Sequence, residues 1–364
     1  MPESTSDNDP FRESVTQTTA KARFGATNPR AFGHIVATGG CTAAQKTVLN
    51  DSSRDRCARG TRGMSTKQSV IIKQGNLFEV DSPLHGKVRG ERSVMDFPFF
   101  ALSKVAVHKP LVYEQENVKI EIRPSATGIA TMYDKEIILY IASLMAQEIS
   151  RGGEVGQDFT FTAHDFFRIT GVARPGKRDY QRFTDALERL QGTQIKTNIR
   201  TGAQQDKGWF SWLAEAAANY ITLPSGEEQM RVVKVRLCAW LYRAIERDGH
   251  IYSYHHDYFR LGTIERRLYE IAHCHCEGDA IEMPIEMLSA KVGSSSSLSK
   301  FKQHLKEVES DDRLPEYAVT LKDVIPDTPR IDSRGRRITK PDTVVVLTPR
   351  TGRSAPVLLE NAAA

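Results

Sequence analysis

Apolar residues recur at the same offsets in two stretches far apart in the chain. Between 178 and 192, Tyr180, Phe183, Leu187 and Leu190 fall at i, i+3, i+7 and i+10, and from 298 to 308 Leu298, Phe301, Leu305 and Val308 repeat that spacing. Each pattern predicts a helix with a single buried stripe and a polar opposite face. Ahead of the first helix, Ile137, Ile141, Leu144 and Met145 mark one apolar face from Tyr133 to about Arg151, closed by Gly152-Gly153. Phe159 to Thr162 alternates as a short strand, and a helix with Asp165, Phe166, Phe167 and Ile169 runs to Gly171. Strand-like runs Thr193–Thr201 and Trp209–Leu213 then flank a polar loop and predict a hairpin.

The same order returns downstream, and a chance motif does not readily recur in sequence. Leu139-Tyr140 is answered by Leu268-Tyr269, the strand by Ala280–Met283, and the short helix by Glu286-Met287-Leu288 before Gly293, with Pro284 at a first helical position. Tyr317–Leu321 and Val344–Leu347 enclose a loop with Arg330, Arg334, Arg336, Arg337 and Lys340. Helix, strand, helix, turn, basic helix, hairpin is the winged-helix order. The predicted fold class is α+β: two tandem winged-helix domains, 94–249 and 250–350, joined through a helix Leu237–Arg247 with a boundary near Gly249. Residues 1–93, rich in Ser, Thr, Gly, Arg and Asp without sustained apolar periodicity, predict a largely disordered segment, and 351–364 a tail. Order is expected to begin near the apolar segment Met95–Phe100, and Met64 leaves a second translation start open.

Composition changes this picture little. With 40% apolar and 26% charged residues the chain is of ordinary soluble type, and no apolar run suits a bilayer crossing. The polar, acidic start is unlike a secretory signal, so a cytoplasmic protein is expected. Five cysteines (Cys41, Cys57, Cys238, Cys274, Cys276) at irregular spacing predict reduced thiols. The net charge of +5 resides in the first segment: 1–93 hold 14 Lys and Arg against 9 Asp and Glu, leaving 36 of each sign. A nucleic-acid reading must therefore rest on where basic side chains cluster.

They cluster on the polar faces of the two striped helices. Arg and Lys pair with guanine O6 and N7, and Gln with adenine N6 and N7, when such a face enters a major groove. Gln181, Arg182, Lys300, Lys302 and Gln303 are the expected base readers. Arg174, Lys177, Arg178 and Lys306 are expected at phosphates, and Arg189 shares the first outer face. Arg334, Arg336 and Arg337 of the second loop suit a minor groove or the backbone.

Met95-Asp96-Phe97-Pro98-Phe99-Phe100-Ala101-Leu102-Ser103-Lys104, the helix start Arg178-Asp179-Tyr180, Leu187-Glu188-Arg189-Leu190-Gln191-Gly192-Thr193 and Arg267-Leu268-Tyr269-Glu270-Ile271-Ala272 together resemble the plasmid replication initiator protein A family, over roughly residues 94–325. That family is similar to the iteron-binding plasmid initiators. The resemblance implies binding of duplex DNA at origin direct repeats, opening of adjacent AT-rich DNA, and recruitment of the host initiator and replicative helicase. It also implies a homodimer, formed through the first domain, that represses its own gene while monomers initiate. Residues 1–63 lie outside it.

Other chemistries are weaker. His273-Cys274-His275-Cys276 offers zinc-ligand types, but neighbours on a helix point about 100° apart and do not readily close one tetrahedral site. No metal or cofactor is expected. A rolling-circle nicking enzyme with Tyr269 as nucleophile would need those histidines side by side on a strand. Tyr252, Tyr254, His255, His256, Tyr258 and Phe259 form an aromatic cluster suited to a core or interdomain contact, or to stacking on single-stranded DNA. No GxxxxGKT motif is present, so no nucleotide-driven step is expected. A winged-helix transcription regulator remains the alternative of the same architecture.

Overall fold

The computed structural model describes residues 83–115, 117–325, 330–331, 337–338 and 341–350. The low order expected for 1–82 and the tail expected at 351–364 lie outside the described residues. Residues 83–93 differ from the expectation, because they form an ordered arm. Leu84 and Val88 are buried, and strand β1 (Arg89–Glu91) leads into helix α1 (Arg92–Asp96). Glu91 starts that helix by accepting from the backbone N–H groups of Ser93 and Val94 at 2.9 and 3.0 Å, which satisfies two otherwise orphaned donors. The arm is held by partners distant in sequence. Leu84 N–H donates to Asp165 and Arg89 N–H to Ser143, while β1 pairs antiparallel with Ile251–Ser253.

The first module contains β2 (Leu111–Gln115), β3 (Val118–Arg123), α2 (Lys135–Ser150), β4 (Asp158–Phe161), α3 (Ala163–Ile169), α4 (Lys177–Gly192), β5 (Gln194–Thr197), β6 (Leu213–Thr222) and β7 (Glu228–Leu237). Its first helix matches the apolar face read from sequence, with Ile137, Ile141, Leu144 and Met145 all buried. Thr162 caps α3 by accepting from the N–H of Asp165, and Asp179 reaches back to accept from Gly176 N–H at the start of α4. Phe183, Leu187 and Leu190 are buried against Phe161, Phe166 and their neighbours, while Tyr180 is half-buried. Burying each such side chain is worth about 1.5–3 kcal/mol, enough to hold a helix whose other face stays wet.

The hairpin of this module is not where alternation placed it. Residues 194–197 pair with β3 in a separate sheet of order β2-β3-β5, and Phe210 only bridges back to Ile195. The wing is instead β6 with β7, in a sheet of order β4-β7-β6.

Helix α5 (Ala239–Arg243) passes into a wider turn of helix, Ala244–Asp248, that stops at Gly249 with φ +64°. Trp240, Leu241 and Ile245 face inward. The second module follows: β8 (Ile251–Ser253), a short 3-10 turn His256–Arg260, α6 (Thr263–His275), β9 (Ile281–Pro284), α7 (Ile285–Val292), α8 (Leu298–Asp311), β10 (Tyr317–Val324), β11 (Arg330–Ile331), β12 (Arg337–Ile338) and β13 (Asp342–Pro349). Its sheet has the order β10-β13-β9. Read from the strand before the short helix, both modules place that strand beside the last strand of the wing, with the first wing strand at the edge. The internal repeat is therefore topological as well as sequential, and the chain is an α+β pair of tandem winged-helix modules.

On α8 the stripe starts one turn later than expected: Phe301, Leu305 and Val308 are buried, whereas Leu298, directly after the capping Ser297, is exposed. Two cores result. One spans the first module. The other gathers the second module around Leu268, Tyr269, Phe301 and Val345, and also takes in Met95 of α1 and Leu139 of α2. Among the described residues no helix is long and apolar enough to cross a membrane.

Candidate nucleic-acid interface

Because the inner stripes of α4 and α8 are used up in packing, the opposite faces are what each module can offer to a partner. On α4, Lys177, Arg178, Gln181 and Arg182 are exposed, with Arg174 on the preceding turn. Arg182 is 70% exposed and only loosely tethered, its Nη1 lying 3.8 Å from Asp179. Gln181 donates to Asp185 at 2.8 Å, a contact one helical turn long that holds the amide outward. On α8, Lys300, Gln303 and Lys306 are exposed on the side away from Phe301 and Leu305. Gln303 lies 3.4 Å from Glu307 in the same i, i+4 relation that Gln181 has to Asp185.

Two expected contact residues are committed elsewhere. Arg189 donates through Nε and Nη2 to both carboxylate oxygens of Asp134, each at 2.8 Å, and is mostly covered. This paired contact fastens α4 to the start of α2, so Arg189 braces α4 instead of facing outward. Lys302 donates to Asp323 at 2.8 Å and to Thr343 at 2.5 Å, which joins α8 to β10 and β13 at the base of the second wing. Sequence spacing placed both on the polar face. Their partners, 55, 21 and 41 residues away, decide the outcome. Arg334 and Arg336 lie outside the described residues. Arg337 is placed only as backbone, in β12, and its side chain too lies outside them.

The rival chemistries have a clear geometry. His273 Nδ1 lies 2.9 Å from the Tyr317 hydroxyl, His275 Nε2 lies 2.7 Å from Asp96, and Cys274 and Cys276 are buried near the carbonyls of Arg92 and Leu347. The four side chains point to four partners. Burial pushes the Cys274 thiol well above its usual range, unlike a thiolate ligand. Tyr269 is fully buried, donating its hydroxyl to Glu316 and accepting from His255 N–H, and burial raises its ionisation far above an ordinary phenol. Tyr252, Tyr254 and Tyr258 are core residues, not a stacking platform. A set that sequence reading did not single out, His255, His256 and Asp257, brings ligand-type atoms within 4.8 Å of one another; Asp257 is already paired with Arg260 at 2.9 Å.

Asp96 offers a measurable electrostatic contact. Burial alone would raise its carboxyl, but the hydrogen bond from His275 and the charge of Lys291, 2.5 Å away, outweigh burial and hold it at about 2. A carboxyl depressed from 3.8 stabilises the fold fully above about pH 4 and loses that contribution, roughly 2 kcal/mol, as pH falls towards 2. Thermal unfolding of the parent and of Asp96→Asn should therefore differ by a constant amount above pH 5, by about half as much near pH 3, and converge only below about pH 2. A gap undiminished at pH 2.5 would contradict this.

Comparison with known proteins adds three findings. The sequence profile of the family described as replication initiator protein A matches residues 89–319. A candidate replication protein of Wigglesworthia glossinidia brevipalpis is 32% identical over 265 residues, covering 71% of this chain and 94% of the relative. Among solved structures, domains 2 and 3 of RctB are similar at a TM-score of 0.48 and 14% identity, over 70% of this chain and 96% of that one. The Pi initiator protein in complex with iteron DNA is similar at 0.41 and 10%, over 61% and 92%.

Proposed function

This chain belongs to the replication initiator protein A family, and from that premise we propose that it starts plasmid replication by gripping repeated duplex sites at an origin with both of its modules. The observation that carries the proposal is the repeated module itself: one strand order, used twice, each time with a helix whose outer face presents Arg or Lys beside Gln. Arg182, Gln181, Lys300 and Gln303 read base edges, and Arg174, Lys177, Arg178 and Lys306 hold phosphates. Arg334, Arg336 and Arg337, between the strands of the second wing in the sequence, are assigned to a minor groove or the backbone.

The chain acts by binding and not by catalysis, a reading supported by the buried hydroxyl of Tyr269 and the divergent His273 to Cys276. Opening of AT-rich DNA, recruitment of the host initiator and helicase, and repression of its own gene by a dimer belong to the same proposal. The transcription-regulator alternative predicts a protected operator but no origin activity.

Footprinting on the origin and on DNA beside the gene tests this, with protection expected over tandem repeats. Replacing Lys300 and Lys306 with Ala should weaken binding and lower the slope of log affinity against log salt by about 1, since the lost phosphate contact of Lys306 removes roughly 0.9. Thermal unfolding should hardly change, because both side chains are exposed. An unchanged slope would remove α8 from the interface.

A further inference from the structure

The two modules meet across buried charge. Adjacent residues of α2, Lys135 and Glu136, face residues one turn apart on α6, Glu270 and Arg266. Lys135 Nζ donates to Glu270 Oε1 at 2.6 Å, and Arg266 Nη1 lies 2.8 Å from Glu136 Oε1. Neither Lys135 nor Glu270 has any exposed side-chain surface. The arm closes the seam: Lys135 also donates to the carbonyl of Val94, and Arg267 donates to the carbonyls of Met95 and Asp96 and to Glu270 Oε2. The hydroxyls of Tyr254 and Tyr258 complete the shell around Glu270, at 3.0 and 2.7 Å. Packing is equally close, since a Cβ on Gly90 would lie 2.6 Å from Tyr254 and 2.9 Å from Leu139.

Stability alone does not account for such a seam. Well-packed apolar residues of the same volume commonly hold two surfaces together as firmly as a buried ion pair, or more so. Charges in a dry interface differ in tolerating only the geometry that satisfies every partner, whereas an apolar contact permits sliding. Burial would raise the Glu270 carboxyl, yet Lys135 and Arg267 outweigh it and keep that group ionised; burial prevails at the other two groups, pushing Glu136 up to about 7 despite Arg266 and Lys135 down to about 8 despite Glu270.

We propose that this ionic seam fixes the separation and angle between α4 and α8, and so sets the spacing between the two parts of one DNA site. Lys135 and Glu136 are then positioning residues that never touch DNA. The spacing role rests on the reading that both modules grip one duplex; the mechanical role does not.

The test uses the full chain carrying Lys135→Met with Glu136→Gln. Glu270 keeps Arg267, Tyr254 and Tyr258, and Arg266 keeps the carbonyls of Phe259, Leu261 and Met132, so no second-module charge is left without a partner. Spin labels on cysteines replacing the exposed Glu188 of α4 and Glu307 of α8, with Cys41 and Cys57 changed to Ser, report the distance between the helices. A single narrow distribution is expected in the labelled parent and a broad one in the double variant. On the footprinted DNA, inserting two base pairs between the protected parts should cost the parent roughly 100-fold in affinity and the variant under about 10-fold, the difference between joint and separate engagement. Val235→Ala, a cavity in the first core away from the seam, should lower thermal stability and keep the parent's distance and spacing dependence.

A distribution that stays narrow in the double variant overturns the proposal. A broadened distribution with the parent's insertion penalty unchanged overturns the spacing role, and a parent that shows no insertion penalty overturns the grip of both modules on one duplex. Should the double variant fail to fold, Glu136→Gln alone gives the same two readouts at smaller amplitude.

Discussion

Replacing Glu270 with Ala is expected to destabilise the protein by roughly 3–5 kcal/mol, the cost of leaving a buried charge uncompensated. Its carboxylate receives Lys135, Arg267 and two tyrosine hydroxyls in a site without exposed side-chain surface. Removing it leaves an ammonium and a guanidinium buried beside one another with no counter-charge. For a chain of this size the loss corresponds to a fall of about 6–20 °C in Tm. Glu270→Gln should recover part of it, because the amide oxygen still accepts from the tyrosines while the charge stays missing. Differential scanning calorimetry of the two variants and the parent decides the matter. A loss below about 1 kcal/mol for Glu270→Ala would mean that the seam contributes little to holding the fold.

The second large effect concerns binding. Arg178→Glu with Arg182→Glu should reduce affinity for the footprinted site on the order of 1000-fold at physiological salt. A good Arg contact to a base edge is worth about 1–3 kcal/mol, a phosphate contact adds its share of counterion release, and each reversal also introduces repulsion. Both side chains are exposed, and the Asp179 contact of Arg182 is long, so Tm should move by no more than about 2 °C. A titration showing near-parental affinity would exclude α4 from the DNA surface. The reversal distinguishes contact from bracing, since the same exchange at Arg189 would break the Asp134 clamp and lower stability instead.

What was legible in the sequence follows the range of the forces involved. The helices α2, α4 and α8 were readable because an amphipathic helix writes its buried face at intervals of three and four residues, a local signature, whereas α6, buried at every position from Arg266 to Cys274, was found only as the counterpart of α2 in the repeat. The topological repeat followed from two such signatures in one order. The first wing was missed because β6, with Ala214, Ala216, Ala217 and Ala218, is composed of helix formers, and its strand state is imposed by pairing with β7. Residues 83–93 of the arm were read as disordered for a related reason: Leu84 and Val88 are few, and the partners that hold this stretch lie in Ser143, Asp165 and Ile251–Ser253. At the candidate interface, exposure of Arg178, Arg182, Lys300 and Lys306 was deducible from the stripe alone. The diversion of Arg189 to Asp134 and of Lys302 to Asp323 was not, because polar periodicity gives a direction and no partner.

The arm also imposes an order on biosynthesis. Met95 precedes by 172 residues the Arg267 that donates to its carbonyl, so at ordinary elongation rates the ribosome delivers the two about 10–35 s apart. During that interval the first module can close its own core, while the nascent arm and the face of α2 around Leu139 wait for a partner not yet made. A chain halted before α6 emerges therefore carries an uncovered apolar surface, and chaperones that scan newly made proteins would meet it there first.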